Sequence, residues 1–241
     1  MDAQPGYFEL IGFGPGGWGL ALIAAAGLTV SVAAGGFMLG SVIGGFIATL
    51  KLTQSALLRV AGDIYTTVLR GVPDLLVIYL LYFGGSSALT AFAQTFGATG
   101  FVSLPPFATG VCALGVISGA FQAELFRGAY LALSKGELEA ARSFGMRRWH
   151  MLRRIIIPQI IRYAIPGLGN IWQLALKESA LISVVGLVEL LRKSQMGAGA
   201  TYRPFDFYIT AFFIYLFITW VSGQLFKWAE RRSLRGVRLQ S

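Results

Sequence analysis

Charged side chains inside long apolar runs are the residues of this sequence best placed to do chemistry. Lys177 and Glu178 interrupt one such run, and Glu189 lies at its end. Because ionisable groups are costly in an apolar environment, they usually face a protein interior or a water-filled cavity. We therefore predict that these residues are candidate contacts for a charged or zwitterionic small molecule. The structural alternative is an ion pair with another segment, or a position at an interface.

Two further pairs of charged residues have the spacing of ion pairs within a helix. Glu124 and Arg127 lie three residues apart, and Arg70 and Asp74 lie four residues apart. We expect both pairs to be structural.

Enzymatic and metal chemistry have few candidate residues in this chain. It contains one His and one Cys, and the sequence has no HExxH zinc motif, no nucleophile elbow and no GxxxxGK[S/T] phosphate loop. We predict no catalytic residue, no metal site and no cofactor. An intramembrane enzyme is therefore disfavoured.

The elements that must carry the charged residues are predicted to be membrane-spanning helices. Of the 241 residues, 55% are apolar and only 13% are charged, whereas a soluble domain carries about 25% charged residues. A spanning helix needs about 20 mostly apolar residues. Five runs meet this need: 19–50, 72–96, 105–130, 165–188 and 207–226. The sequence thus predicts an all-α polytopic membrane protein, with one transmembrane domain over residues 1–241.

The charges of the connecting segments predict the orientation. Fifteen Lys and Arg residues fall on one side of the five predicted spans and three on the other. Because positively charged loops stay in the cytoplasm, we expect the N-terminus outside and the C-terminus inside. The net charge of +9 then indicates contact with anionic lipid rather than with nucleic acid.

Glycines recur at four-residue spacing in the first span, at Gly36, Gly40 and Gly44. This spacing places them on one face of a helix, where another backbone can approach closely. We predict close helix packing there, with a pore-lining groove as the alternative.

The longest cytoplasmic loop, 134–158, has the pattern of a helix–turn–helix. Ser134 and Glu137 form an S-x-x-E capping box that predicts the start of a helix. Gly145 suits the turn after that helix because it tolerates positive φ. A second amphipathic helix is expected to end at the proline Pro158, with an inward face formed by Trp149, Leu152 and Ile155. On physical grounds alone, a loop that anchors to lipid headgroups is an equally good interpretation.

The same loop resembles the EAA loop of ATP-binding-cassette importer permeases. Glu139-Ala140-Ala141, then Gly145, then Ile155-x-Ile157-Pro158 have the spacing of that family, with Ile157 in the place of a Leu. The stretches that start at Arg70, Ala123 and Leu176 are similar to signatures of the polar amino-acid permeases. The resemblance covers nearly the whole chain. It extends to the Q-type subunits of importers for histidine, for lysine, arginine and ornithine, and for the opines octopine and nopaline.

This resemblance implies a type I importer permease fold in a bacterial inner membrane. The chain would form the path for a polar, basic amino acid or an opine. Its implied partners are two ATP-binding subunits, a periplasmic solute-binding protein, membrane lipid, and a second permease subunit as a heterodimer, with a homodimer left open. An autonomous secondary transporter is the alternative, although no inverted repeat is visible. The residues implied to couple to the ATPase are Glu139, Ala140, Ala141, Gly145 and Pro158.

Overall fold

The computed structural model describes residues 6–97 and 99–233, which fold into α-helices without a β-strand. This confirms the predicted all-α class. The helices are α1 (Tyr7–Ile11), α2 (Gly19–Leu52), α3 (Ala56–Gly71), α4 (Asp74–Thr95), α5 (Pro106–Leu131), α6 (Lys135–Ser143), α7 (Arg148–Met151), α8 (Ile157–Glu178), α9 (Leu190–Thr201) and α10 (Pro204–Ser233). A π-helical turn, Leu80–Gly84, lies within α4, and a second, Leu152–Ile156, joins α7 to α8.

Four helices in the described ranges are long and apolar enough to cross a bilayer, namely α2, α4, α5 and α10. They coincide with four of the five predicted runs. The fifth run, 165–188, is divided between the end of α8 and a 3₁₀ turn, Ser179–Val185. Gly186, at φ 99°, ends this turn in the left-handed region, where glycine carries no steric penalty.

Contacts with α5 show the direction in which each neighbouring helix runs relative to it. Close to the end of α5, Leu125 lies against Gly167 of α8, and near its start Gly110 lies against Ile182. The segment from α8 through the 3₁₀ turn therefore runs antiparallel to α5 over most of its length. In contrast, α2 runs parallel to α5, since Gly36 meets Leu114 and Gly44 meets Gln122.

The contact between α2 and α5 is the most extensive in the fold, and glycines make it possible. A Cβ atom on Gly44 would lie 2.8 Å from Cβ of Gln122 and 2.9 Å from the backbone of Gly119 and Ala123. Gly36 and Gly40 are buried against α5 in the same way. The structure thus confirms the predicted close packing of this face.

Polar side chains cross the same contact. Gln122 is fully buried, donates through Nε2 to the carbonyl of Phe37 at 3.0 Å, and accepts from Ser41 Oγ at 2.6 Å. Buried amides need such partners because an unsatisfied polar group costs free energy in an apolar interior. The pair of helices is therefore joined by hydrogen bonds as well as by dispersion.

The amphipathic helix α3 packs beside this pair, in the predicted cytoplasmic segment. Its Tyr65 hydroxyl donates to the carbonyl of Val116 in α5 at 2.7 Å. Burial raises the pKa of Tyr65 to about 12, so the phenol remains a protonated donor at neutral pH.

Pro158 does not end the second loop helix, and this prediction was wrong. The helical path continues from α7 through the π-helical turn into α8, with Pro158 in the first turn of α8. Proline is tolerated at the first positions of a helix, where its missing N–H would lack a partner anyway. The wider turn just before it shifts the hydrogen-bond register, and the helical path continues past the proline.

We predict that Gly44→Val destabilises the protein by about 1–3 kcal/mol, because the added methyl groups would push α5 away from α2. The measurement is the midpoint of thermal unfolding of the purified protein in detergent. Gly45→Val is the matched control, since no atom lies within 4 Å of a Cβ placed there. Equal shifts in both variants would show that the glycine face is not a packing constraint.

Candidate functional site

The helix–turn–helix of loop 134–158 is present, with Gly145 at its turn. Gly145 has φ 71°, as its position after α6 predicted. Its N–H bonds to the carbonyl of Arg142 at 2.9 Å, and the N–H of Met146 bonds to that of Ala141 at 3.1 Å. These two bonds form a Schellman motif, which satisfies the last carbonyls of α6 and reverses the chain.

The start of α6 is correct, but its capping box is not formed. Ser134 occupies the N-cap without a side-chain hydrogen bond. Glu137 instead accepts from Gln159 Nε2 at 2.6 Å. This bond links α6 to α8 across the turn, so a tertiary contact has replaced the local one that the sequence pattern favoured.

The loop has a small apolar core of its own. Leu133, Ala141, Met151 and Ile156 are buried together, which fixes α6 against α7 and the start of α8. Trp149 and Leu152, predicted to face inward, are instead exposed, because the π-helical turn rotates Met151 and Ile156 onto the inner face. The loop is thus a packed helix–turn–helix with a buried core, although most of its other side chains are exposed.

The outer face of this unit carries the residues that the resemblance singled out. Glu139 and Ala140 are exposed on α6, and Phe144, at the tip, is 91% exposed. Beside them lies an open groove of about 580 Å³, lined by Glu137, Ala140, Ala141, Phe144, Met146, Arg154, Ile155, Pro158, Gln159 and Arg162. A solvent-exposed aromatic ring at the tip of a packed, otherwise polar loop is typical of a protein-binding surface.

A charged network holds the helices that lead into the loop. The side chain of Lys51, only 6% exposed, forms ion pairs with Asp63 at 2.9 Å and with Glu124, and bonds to Thr66 at 2.8 Å. Glu124 also pairs with Arg127 at 3.0 Å, as their spacing predicted. The network thus joins α3 to the C-terminal parts of α2 and α5. Sequence reasoning missed Lys51, although it is the first charge after an uncharged run of more than thirty residues.

Arg70 and Asp74 do not form the ion pair that their spacing suggested. Residues 72 and 73, between them, are extended, so the two side chains belong to different helices and the geometry of one helical turn is lost. Arg70 instead lies over the ring of Phe121, at 5.4 Å from its centroid. Asp74 faces the carboxyl group of Glu178.

Lys177 and Glu178 have opposite environments at the end of α8. Lys177 is exposed, and it forms no ion pair within the described ranges. Glu178 is 6% exposed; among the described residues no N–H or O–H group donates to its Oε1 atom, and its carboxyl group lies beside that of Asp74. Adjacent helix positions point about 100° apart, which explains why one side chain leaves the subunit and the other enters it.

Glu189 is not placed to meet a solute, contrary to the expectation. It is fully buried and caps α9, accepting from the N–H groups of Leu191 at 2.9 Å and Arg192 at 2.8 Å. The hydroxyls of Tyr215 and Thr29 donate to the same carboxylate, at 3.0 Å and 3.4 Å. This set of donors uses both carboxyl oxygens within the fold, at the N-terminus of α9.

Comparisons with known proteins agree with this geometry. Residues 36–239 match the family described as "Binding-protein-dependent transport system inner membrane component". The chain is 55% identical to the octopine transport system permease protein OccQ of Rhizobium meliloti, over 97% of this chain and 98% of that protein. It is 39% identical to the histidine/lysine/arginine/ornithine permease protein HisQ of Escherichia coli, over 90% and 95% of the two chains. A solved amino acid ABC transporter with histidines superposes with a TM-score of 0.74 at 33% identity, over 89% of this chain and 95% of that one.

We predict that Lys51→Met destabilises the protein by about 1–2 kcal/mol, because Asp63 and Glu124 lose their shared cation while Glu124 keeps Arg127. Unfolding midpoints in detergent measure the effect, and Lys177→Met controls for the loss of an exposed charge. Adding Glu124→Gln to Lys51→Met should recover part of the loss, as expected for coupled residues. If the double variant loses as much stability as the two single variants together, the residues are not coupled and the network is contradicted.

Proposed function

This chain belongs to the family of binding-protein-dependent transport system inner membrane components, and on that premise we propose that it forms the membrane path of an ATP-driven importer for a basic amino acid or an opine. It is an ABC permease of the polar amino-acid type, and it acts in transport rather than as an enzyme. The solute class is supported by two relatives, one named for octopine and one for histidine, lysine, arginine and ornithine.

The partners follow from this membership in general terms: ATP-binding subunits and a solute-binding protein. The chain has no nucleotide-binding loop of its own, so the energy must come from another subunit. In our proposal two ATP-binding subunits and a second, related permease complete the transporter. A homodimer of this chain is the other possible arrangement of the pore.

The observation that carries the coupling role is the exposed tip of loop 134–158. Its backbone is held by the Schellman turn at Gly145 and by the buried Ala141. The exposed Phe144 and Glu139 provide an apolar anchor and a charge on a rigid surface. We assign contact with the ATPase to Glu139, Ala140 and Phe144, and support of the turn to Ala141 and Gly145. Pro158 lies in the groove beside them.

For the topology we propose five crossings, with the N-terminus periplasmic and the C-terminus cytoplasmic. The parallel course of α2 and α5, and the antiparallel course of α8, support alternate crossings. The charge bias supports the direction, because the basic loops would face the cytoplasm.

Lys177 and Glu178 remain our candidates for the solute path. Lys177 is an exposed cation on a mostly apolar helix, and Glu178 carries a buried oxygen that no donor in the described part of the chain reaches. An amino acid offers a carboxylate to the first and an ammonium or guanidinium group to the second. Asp74, beside Glu178, adds a second acidic group that a basic side chain could reach.

We predict that Gly145→Val weakens binding of the ATPase subunits by about tenfold, since a β-branched residue at positive φ costs roughly 1–2 kcal/mol. Pull-down from mild detergent with a tagged permease measures the recovered ATPase. Gly136→Val is the control, because Gly136 lies within α6 at ordinary helical angles. A permease that purifies without an ATPase under every mild condition would favour an autonomous transporter.

The proposed orientation is tested with vesicles from which the ATPase subunits have been stripped. We expect the ATPase to rebind to inside-out vesicles and not to right-side-out ones.

We expect Lys177→Ala to reduce uptake of radiolabelled arginine by the reconstituted transporter by tenfold or more, about the effect of losing one charged contact. Basal ATP hydrolysis should persist, because the variant leaves loop 134–158 intact. Lys193→Ala is the control, as Lys193 lies over the ring of Trp18 near the N-terminal end of α2. Unchanged uptake in Lys177→Ala would remove Lys177 from the path.

A further inference from the structure

Two neighbouring features at loop 134–158, which we call the coupling loop, have no role in the function proposed above. One is an open apolar groove of about 580 Å³ between the inner ends of α2, α5 and α8. The other is a basic cavity of about 420 Å³, lined by Trp149, His150, Arg153 and Arg154. Leu152 lines the groove and the next residue, Arg153, lines the cavity, so the two are adjacent along the helical rod.

The groove has the chemistry and length of a lipid acyl chain. One side, formed by the π-helical turn and the start of α8, extends from Leu152 to Ile161, which is about 14 Å at roughly 1.5 Å per residue. One leaflet of the hydrocarbon core has a similar depth of about 15 Å. Its walls are almost entirely apolar: Gly45, Ala48, Thr49, Leu52, Thr53, Phe126, Tyr130, Leu152, Ile156, Ile157, Ile160 and Ile161.

The basic cavity lies where the headgroup of such a lipid would be. Arg147, Arg148, Arg153 and Arg154 are all exposed, and in the described part of the chain none of them pairs with an acidic residue. Trp149 is 64% exposed beside them, a position typical of an aromatic ring at the membrane–water boundary. Unpaired arginines around a polar cavity favour a phosphate group, which guanidinium binds through two N–H donors.

We propose that this groove and cavity together bind one anionic phospholipid, with an acyl chain between α2, α5 and α8 and the phosphate at Arg153 and Arg154. The lipid contacts Ile156 in the groove, which belongs to the buried core of the coupling loop. The site therefore links the position of the loop to the inner leaflet. It borders the exposed tip at Phe144, where the ATPase is assigned, because Arg154 lines both the basic cavity and the groove beside that tip.

The test uses the assembled transporter, with its ATPase subunits attached, delipidated in detergent and titrated with phosphatidylglycerol or phosphatidylcholine. Native mass spectrometry counts the lipid that each assembly retains. We expect preferential retention of phosphatidylglycerol, and a loss of roughly tenfold or more in the Arg153→Gln/Arg154→Gln variant, because each basic residue near a lipid surface contributes substantially to anionic-lipid binding. Arg142→Gln, which removes an exposed charge outside both cavities, should not reduce retention.

A second variant separates lipid from a free anion. Gly45 opens onto the groove with no atom within 4 Å of an added Cβ, so Gly45→Phe should fill the acyl site and lower retention with the arginines intact. If inorganic phosphate at millimolar concentration competes with the lipid while Gly45→Phe has no effect, the site binds a free anion and the proposal is overturned. Equal retention of both lipids would overturn it as well. Retention by the isolated permease but not by the assembled transporter would assign the patch to a protein interface, which also contradicts the proposal.

Discussion

The close approach of α2 to α5 is the constraint on which the rest of this structure depends. Within a bilayer, lipid tails are as apolar as leucine, so helices do not associate through the hydrophobic effect. They associate where small residues allow backbone contact, and the glycine face of α2 does this from Gly36 to Gly44. Once the two backbones are in contact, Gln122 and Ser118 can bond to carbonyls of α2, which fixes the register of the pair.

That register decides where the charges lie. Glu124 follows Gln122 by two residues on α5, and it meets Lys51 because α2 is held alongside. Lys51 then ties α3 to both helices through Asp63 and Thr66. Since the loop begins only a few residues after Arg127, the network places a firm support at the point where a force from the ATPase would enter the membrane domain. Helices that slide independently could not transmit such a force.

Local sequence patterns were reliable where the physics is local. Gly145 was predicted at positive φ, and Glu124 was predicted to pair with Arg127, because both depend on a few neighbouring residues. The predicted pair of Arg70 with Asp74 was wrong, because two extended residues interrupt the helix between them. The capping box at Ser134 lost its Glu137 to Gln159, twenty-two residues away. A spacing rule within one helix cannot account for a hydrogen-bond donor that comes from a different helix.

The sequence by itself determined the all-α class, four of the spans, the glycine face and the helix–turn–helix, because each follows from apolar run length, charge distribution or a residue that tolerates a special backbone. Only the tertiary structure decided which charges are satisfied. Glu189 is a helix cap bonded to Thr29 and Tyr215, and Lys51 is the centre of a network. It also decided that Trp149 faces outward. A buried charge is stabilised by groups far away in the chain, and their distances exist only after the helices have packed.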